Sequence, residues 1–162
     1  MWIQYDQRVR NILKTLMGKN EKSQFCREPS LMRALLVSNR KASLSEFAAT
    51  LENLSIHVVW SETENGAISM IGERAMDIII ADEALPHMTG LQFARKLVAI
   101  NPMIHCAAVS SLSPEEFHEA SEGLGLLMQL PVRPKRAHAE DLVKHLRSIM
   151  DLTGKVTGKE RK

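Results

Sequence analysis

Between residues 31 and 150, short apolar runs alternate five times with stretches whose apolar residues recur every three or four positions. The runs are Ala34-Leu35-Leu36-Val37, Ile56-His57-Val58-Val59-Trp60, Ile78-Ile79-Ile80, Ile104 to Val109 and Leu126-Leu127-Met128. They are short, and several are β-branched, which predicts strands. The periodic stretches predict helices. They carry Leu44, Phe47, Ala48 and Leu51, then Ala67, Ile68 and Ile71, then Leu91, Phe93, Ala94, Leu97 and Val98. A fourth opens at Ser113, and the last carries Leu142, Val143, Leu146, Ile149 and Met150. Ser43 with Glu46, and Thr89 with Gln92, have the spacing of a capping box, in which each side chain satisfies an orphan amide. Ser113-Pro114-Glu115-Glu116 combines an N-cap serine, a proline at the first helical position and a glutamate at the third. Gly72, Pro102, Gly123 and Gly125 mark helix ends.

Continuous apolar strands separated by helices predict a parallel sheet covered on both faces. With right-handed crossovers, five strands leave few topologies. The expected one is a flavodoxin-like, doubly wound α/β fold with strand order 2-1-3-4-5. Residues 2–17 predict one further helix, with Trp2, Tyr5, Val9, Ile12, Leu13 and Leu16 on one face. That face either packs on the domain itself or forms an interface to another chain, such as a homodimer. The expected organisation is an N-terminal helix and linker over 1–30, one domain over 31–150, and a flexible basic tail over 151–162.

Composition adds little, but charge distribution adds something. The 162 residues are 44% hydrophobic and 25% charged, ordinary for a globular protein. The net charge of +2 is uneven: residues 1–30 carry +3, residues 31–150 carry −3 and residues 151–162 carry +2. A mildly acidic core argues against a nucleic-acid-binding domain. No apolar run approaches the roughly 20 residues needed to span a bilayer, and no signal-peptide pattern is present. The expected location is therefore cytoplasmic. Cys26 lies in a polar linker, and Cys106, in a strand pattern, reads as a small buried hydrophobe. No histidine, including His87, pairs with other groups at zinc-ligand spacing.

Asp82 carries the chemistry. It ends the most apolar strand, and a loop, Pro86-His87-Met88-Thr89-Gly90, follows at once. A carboxylate in such a place is costly without partners or a task, and ligands of open α/β sheets bind at these strand tips. The other tips carry Ser38-Asn39, Ser110 and Leu130-Pro131. From the residues alone, Asp82 is a water-solvated structural group or a contact for a ligand.

The chain resembles the receiver domain of bacterial two-component response regulators over about residues 32–150. Leu35-Leu36-Val37 before a strand-tip pair, Ile78 to Asp82, the spacing Asp82, Pro86, Gly90, then Val109-Ser110 and Leu130-Pro131 carry the resemblance. It implies that Asp82 is the position phosphorylated by a histidine kinase and that Ser110 supplies a hydroxyl to the phosphoryl group. It also implies a cis bond before Pro131. The family's acidic pair falls on Ser38 and Asn39, its lysine on Leu130 and its switch aromatic on Leu127. Magnesium, which the family uses, is left with Asp82, Asn39 and the Ala84 carbonyl as weak ligands. Each missing charge forfeits a gross attraction of about 4 kcal/mol at 4 Å and an effective dielectric near 20.

The expected function is a stand-alone, degenerate receiver that acts through protein–protein contact, is not an enzyme, and has weak or lost switching at Asp82. Its partner is a histidine kinase or a downstream signalling protein, met at the surface near 115–122 and 135–150, with Arg133, Lys135 and Arg136 at its edge. The alternatives are a working phospho-acceptor and a binding module for a small anion held by Ser38, Asn39 and Ser110.

Overall fold

The computed structural model describes residues 31–157. The predicted N-terminal helix, the linker with Cys26, and residues 158–162 lie outside the described residues. The elements are β1 (Met32–Val37), α1 (Lys41–Asn53), β2 (Ile56–Ser61), α2 (Glu64–Glu73), β3 (Ile78–Ala81), α3 (Gly90–Ile100), β4 (Cys106–Val109), α4 (Pro114–Ser121), β5 (Gln129–Leu130) and α5 (Arg136–Thr157). All strand pairs are parallel, in the order β2-β1-β3-β4-β5, so the doubly wound, flavodoxin-like fold is present.

Strand residues two apart share a face, which divides the core into two layers. Leu36, Ile78 and Ile80 face one way, with Phe47 and Leu51 of α1 and Leu142 and Leu146 of α5. Leu35, Val37, Ile79 and Ala81 face the other, with Ala67 of α2 and Phe93 and Leu97 of α3. Phe47, Phe93, Leu36 and Ile79 are almost wholly removed from water, each contributing about 1.5–3 kcal/mol of transfer free energy.

Two of the predicted helix starts are found. Thr89 and Gln92 cap α3 reciprocally, and Ser113 and Glu116 do the same for α4. The box expected at Ser43 and Glu46 does not form. α1 begins three residues earlier, with Arg40 rather than Ser43 as its N-cap, because the Ser43 N–H already donates to the Arg40 carbonyl at 2.9 Å. Glu46 is drawn instead to the start of α5. It accepts from Lys135 Nζ at 3.0 Å and from the Arg136 amide at 3.4 Å.

β4 starts at Cys106, two residues later than expected, because Ile104 N–H bonds back to Asn101 in a turn. β5 lies at Gln129–Leu130, just after the expected Leu126–Met128. Gly123 and Gly125, both with positive φ, turn the chain, and β5 then pairs with β4, Ala108 opposite Gln129 and Val109 opposite Leu130. α5 continues past residue 150 to Thr157, into the segment expected to be a flexible tail. The described chain contains no cis peptide bond, so the cis bond expected before Pro131 is absent; trans is the intrinsically favoured isomer.

Candidate functional site

The site is built at the carboxyl edge of the sheet. β1 and β3 run side by side, with Val37 opposite Ala81, so Ser38 and Asp82 emerge together. The Asp82 N–H donates to the Val37 carbonyl at 2.9 Å, which extends the ladder by one residue and fixes the acid at the tip. The next residues turn back sharply: Leu85 N–H donates to Met88 O, and Ala84 bridges Thr89. That return explains the glycine in the Asp82, Pro86, Gly90 spacing. A Cβ on Gly90 would sit 2.3 Å from the Asp82 carbonyl oxygen, closer than any side-chain carbon can approach.

Asp82 is fully buried, and four donors surround its two oxygens. Oδ2 accepts from Ser38 Oγ at 2.5 Å and from Arg40 Nε at 3.3 Å. Oδ1 accepts from Arg40 Nη2 at 2.8 Å and from the Glu83 amide at 2.8 Å. An ionised carboxylate offers about four lone-pair sites, so the group is saturated. Asp82 is therefore not bathed by water, one of the readings left open by the residues, and a fixed cation stands beside it although the Leu130 position supplies none. The cation comes from Arg40 on the β1 side rather than from the Leu130 position. The hydrogen bond to Asp82 raises the Arg40 pKa above its already high value, against an opposing effect of burial. The charges of Asp82 and Glu83 add to the rise.

The remaining expected residues are only partly gathered. Ser38 is buried and its oxygen also accepts from the Arg40 amide at 2.9 Å. Asn39, Ala84 and His87 are exposed, and Asn39 makes no side-chain hydrogen bond among the described residues. Ser110 is buried but turned to its own loop, where its Oγ accepts from the Leu112 amide at 3.2 Å. Its neighbour Ser111 makes the link across the edge instead: its N–H donates to Glu83 Oε1 at 2.6 Å and its hydroxyl donates to the same oxygen. Leu130 is wholly buried in the core, and Pro131 lines an open cavity of about 520 Å³ with Ser111, Leu112, Pro114, Val132 and His138. Burial pushes the Cys106 thiol up to about 12, so it stays protonated and packs as a hydrophobe.

Sequence reasoning missed Arg40 and Glu83. One signal was available for the first: a buried acid needs a cation, and Arg40 and Lys41 are the cations next to the β1 tip.

Magnesium is normally held by one or two carboxylates with several retained waters. The residues at this edge do not fit it. Both Asp82 oxygens accept from the Arg40 guanidinium and from one further donor each, the Glu83 carboxylate is engaged by Ser111, and Ser38 and Asn39 bring no charge. Among the described residues no three His, Cys, Asp or Glu side chains are grouped to hold a metal ion. No helix among them is long and apolar enough to cross a membrane.

Solved structures with the same architecture include the chemotaxis response regulator CheY4 of Vibrio cholerae. It is 15% identical, with a TM-score of 0.64 over 72% of this chain and 99% of that one. A CheY-like receiver domain protein from Methanospirillum hungatei is 21% identical, with a TM-score of 0.64 over 78% of this chain and 98% of that one. A response regulator from Thermotoga maritima is 16% identical, with a TM-score of 0.63 over 72% of this chain and 98% of that one. No curated protein matches the chain. The family model for the response regulator receiver domain matches residues 34–147, all of the sheet but the first two residues of β1, and the helices that cover it up to the middle of α5. With that span and this topology, the chain belongs to the response regulator receiver domain family of two-component signalling.

Proposed function

We propose that this receiver domain signals through protein contact and that phosphoryl switching at Asp82 is weak or lost. The observation that carries the proposal is the Arg40 guanidinium lying across both oxygens of Asp82. Accepting a phosphoryl group requires a carboxylate oxygen with a lone pair free for in-line attack, and cations to neutralise the moving charge. Here each oxygen must first lose a donor. The tips of β1 and β5 bring no carboxylate and no lysine to offset that loss. The hydroxyl of Ser110, which the family resemblance assigns to the phosphoryl group, is held by its own loop.

The same geometry favours a surface that is presented without a phosphoryl group. Ser111 is already tied to Glu83, and Gln129 Nε2 donates to the Leu112 carbonyl at 2.8 Å. Leu112 stands partly exposed beside α4. A signalling partner meets this loop, α4 and the start of α5, where Arg133, Lys135 and Arg136 supply positive charge.

The test is incubation of the full chain with magnesium and acetyl phosphate, read by intact mass, with Asp82→Asn as control. The unmodified mass is expected to persist. A stoichiometric gain of one phosphoryl group, absent from the control, would replace this proposal with a working phospho-acceptor that a histidine kinase addresses at Asp82.

A further inference from the structure

We infer that Arg40 is an internal counter-cation that occupies the Asp82 site in place of a divalent metal, so that the two exclude one another. The inference deepens the proposed function and rests on it in one respect, the identification of Asp82 as the acid at issue.

Local structure alone does not account for Arg40. It is the N-cap of α1, and its side chain makes no capping bond there. N-cap positions favour Ser, Thr, Asp and Asn, and the positive end of a helix dipole disfavours a cation. The guanidinium instead reaches across the edge and takes Asp82 through Nε and Nη2. Ser38 locks the arrangement from below, donating its hydroxyl to Asp82 while accepting the Arg40 amide. Helix start, serine and acid therefore form one closed hydrogen-bonded circuit around the guanidinium.

A divalent ion and a guanidinium seek the same carboxylate lone pairs, and charge repulsion forbids both at contact distance. The Arg40 side chain is 41% exposed while that of Asp82 is 1% exposed. The cation thus sits at the mouth and the acid at the bottom. An ion that takes the Asp82 oxygens must displace Arg40 from them, and the Arg40 side chain is exposed enough to turn to solvent. An apparent affinity falls by the fraction of molecules that are open. Arg40 sets that fraction.

Calorimetric titration of the full chain with magnesium chloride tests this. The wild-type chain is expected to give no saturable binding at millimolar magnesium, and Arg40→Gln to tighten apparent affinity by about tenfold or more. The gain should vanish in Arg40→Gln with Asp82→Asn. Thermal unfolding of each variant verifies that it folds, with Arg40→Ala as the replacement if Arg40→Gln does not. Equal magnesium binding with and without Arg40, no gain in a folded Arg40 variant, or a gain that survives loss of Asp82 each overturns the inference. Failure here differs from failure of the proposed function, which is read from wild-type phosphorylation and needs no Arg40 variant.

Discussion

The ion pair between Arg40 and Asp82 carries a measurable coupling energy. The closest contact is 2.8 Å, which places the charge centres about 4 Å apart and gives a gross attraction of about 4 kcal/mol at an effective dielectric near 20. Solvent reaches the guanidinium, whose side chain is 41% exposed, and this screening lowers the net figure to about 1–2 kcal/mol. Exposed surface pairs give about 0.2–1 kcal/mol, so burial of the acid should lift this pair above them. Arg40→Gln leaves the carboxylate with Ser38 and the Glu83 amide, at a cost of about 2 kcal/mol. Asp82→Asn leaves the cation free to turn to water and should cost less. A double-mutant cycle in urea, with midpoints compared at constant m, isolates the pairwise part. A coupling below about 0.5 kcal/mol, within the scatter of independent sites, would show that the guanidinium is only an onlooker.

Two further outcomes follow from the geometry. Gly90→Ala should destabilise by about 2 kcal/mol or more, as overpacking does, although alanine is the better helix former, because its Cβ would lie 2.3 Å from the Asp82 carbonyl oxygen; a urea midpoint equal to or above wild type refutes this. The Glu46 carboxyl is held below its usual range, first by the hydrogen bond from Lys135 and then by the Arg136 amide. A depressed carboxyl stabilises the fold above its unfolded value and loses that contribution as pH falls through its folded value. Melting temperature measured from neutral pH down through the carboxylate range should therefore fall less steeply for Glu46→Gln than for wild type, and parallel curves would remove Glu46 from the account.

The parts of this molecule that local chemistry dictates were legible in the sequence. Apolar runs and three-to-four spacing placed the strands and helices of the described chain within a few residues, except the end of α5, which runs on from the expected 150 to Thr157. Thr89 with Gln92 and Ser113 with Glu116 cap where their spacing predicts, because a capping box needs only four consecutive residues. Ser43 with Glu46 has equally good spacing and fails, since Glu46 finds stronger partners in Lys135 and Arg136, far along the chain. Arg40 was hidden for the same reason. Its position is read from β1, but its role depends on the rotamer that carries it to an acid 42 residues away. Asp82 at the tip of β3 could be read directly, and the resemblance marked Ser38, Asn39 and Leu130 as positions without the family's charges. How the fold compensates for them could not, because compensation is a contact between distant segments.

Asp82 and Glu83 are consecutive, yet they reach in opposite directions: the first toward β1 and α1, the second toward the loop that leads to α4. Their α-carbons are only about 3.8 Å apart. A single peptide unit thus acts as a yoke between the two flanks of the sheet edge. Glu83 therefore serves both flanks at once, its amide donating to Asp82 and its carboxylate accepting from Ser111.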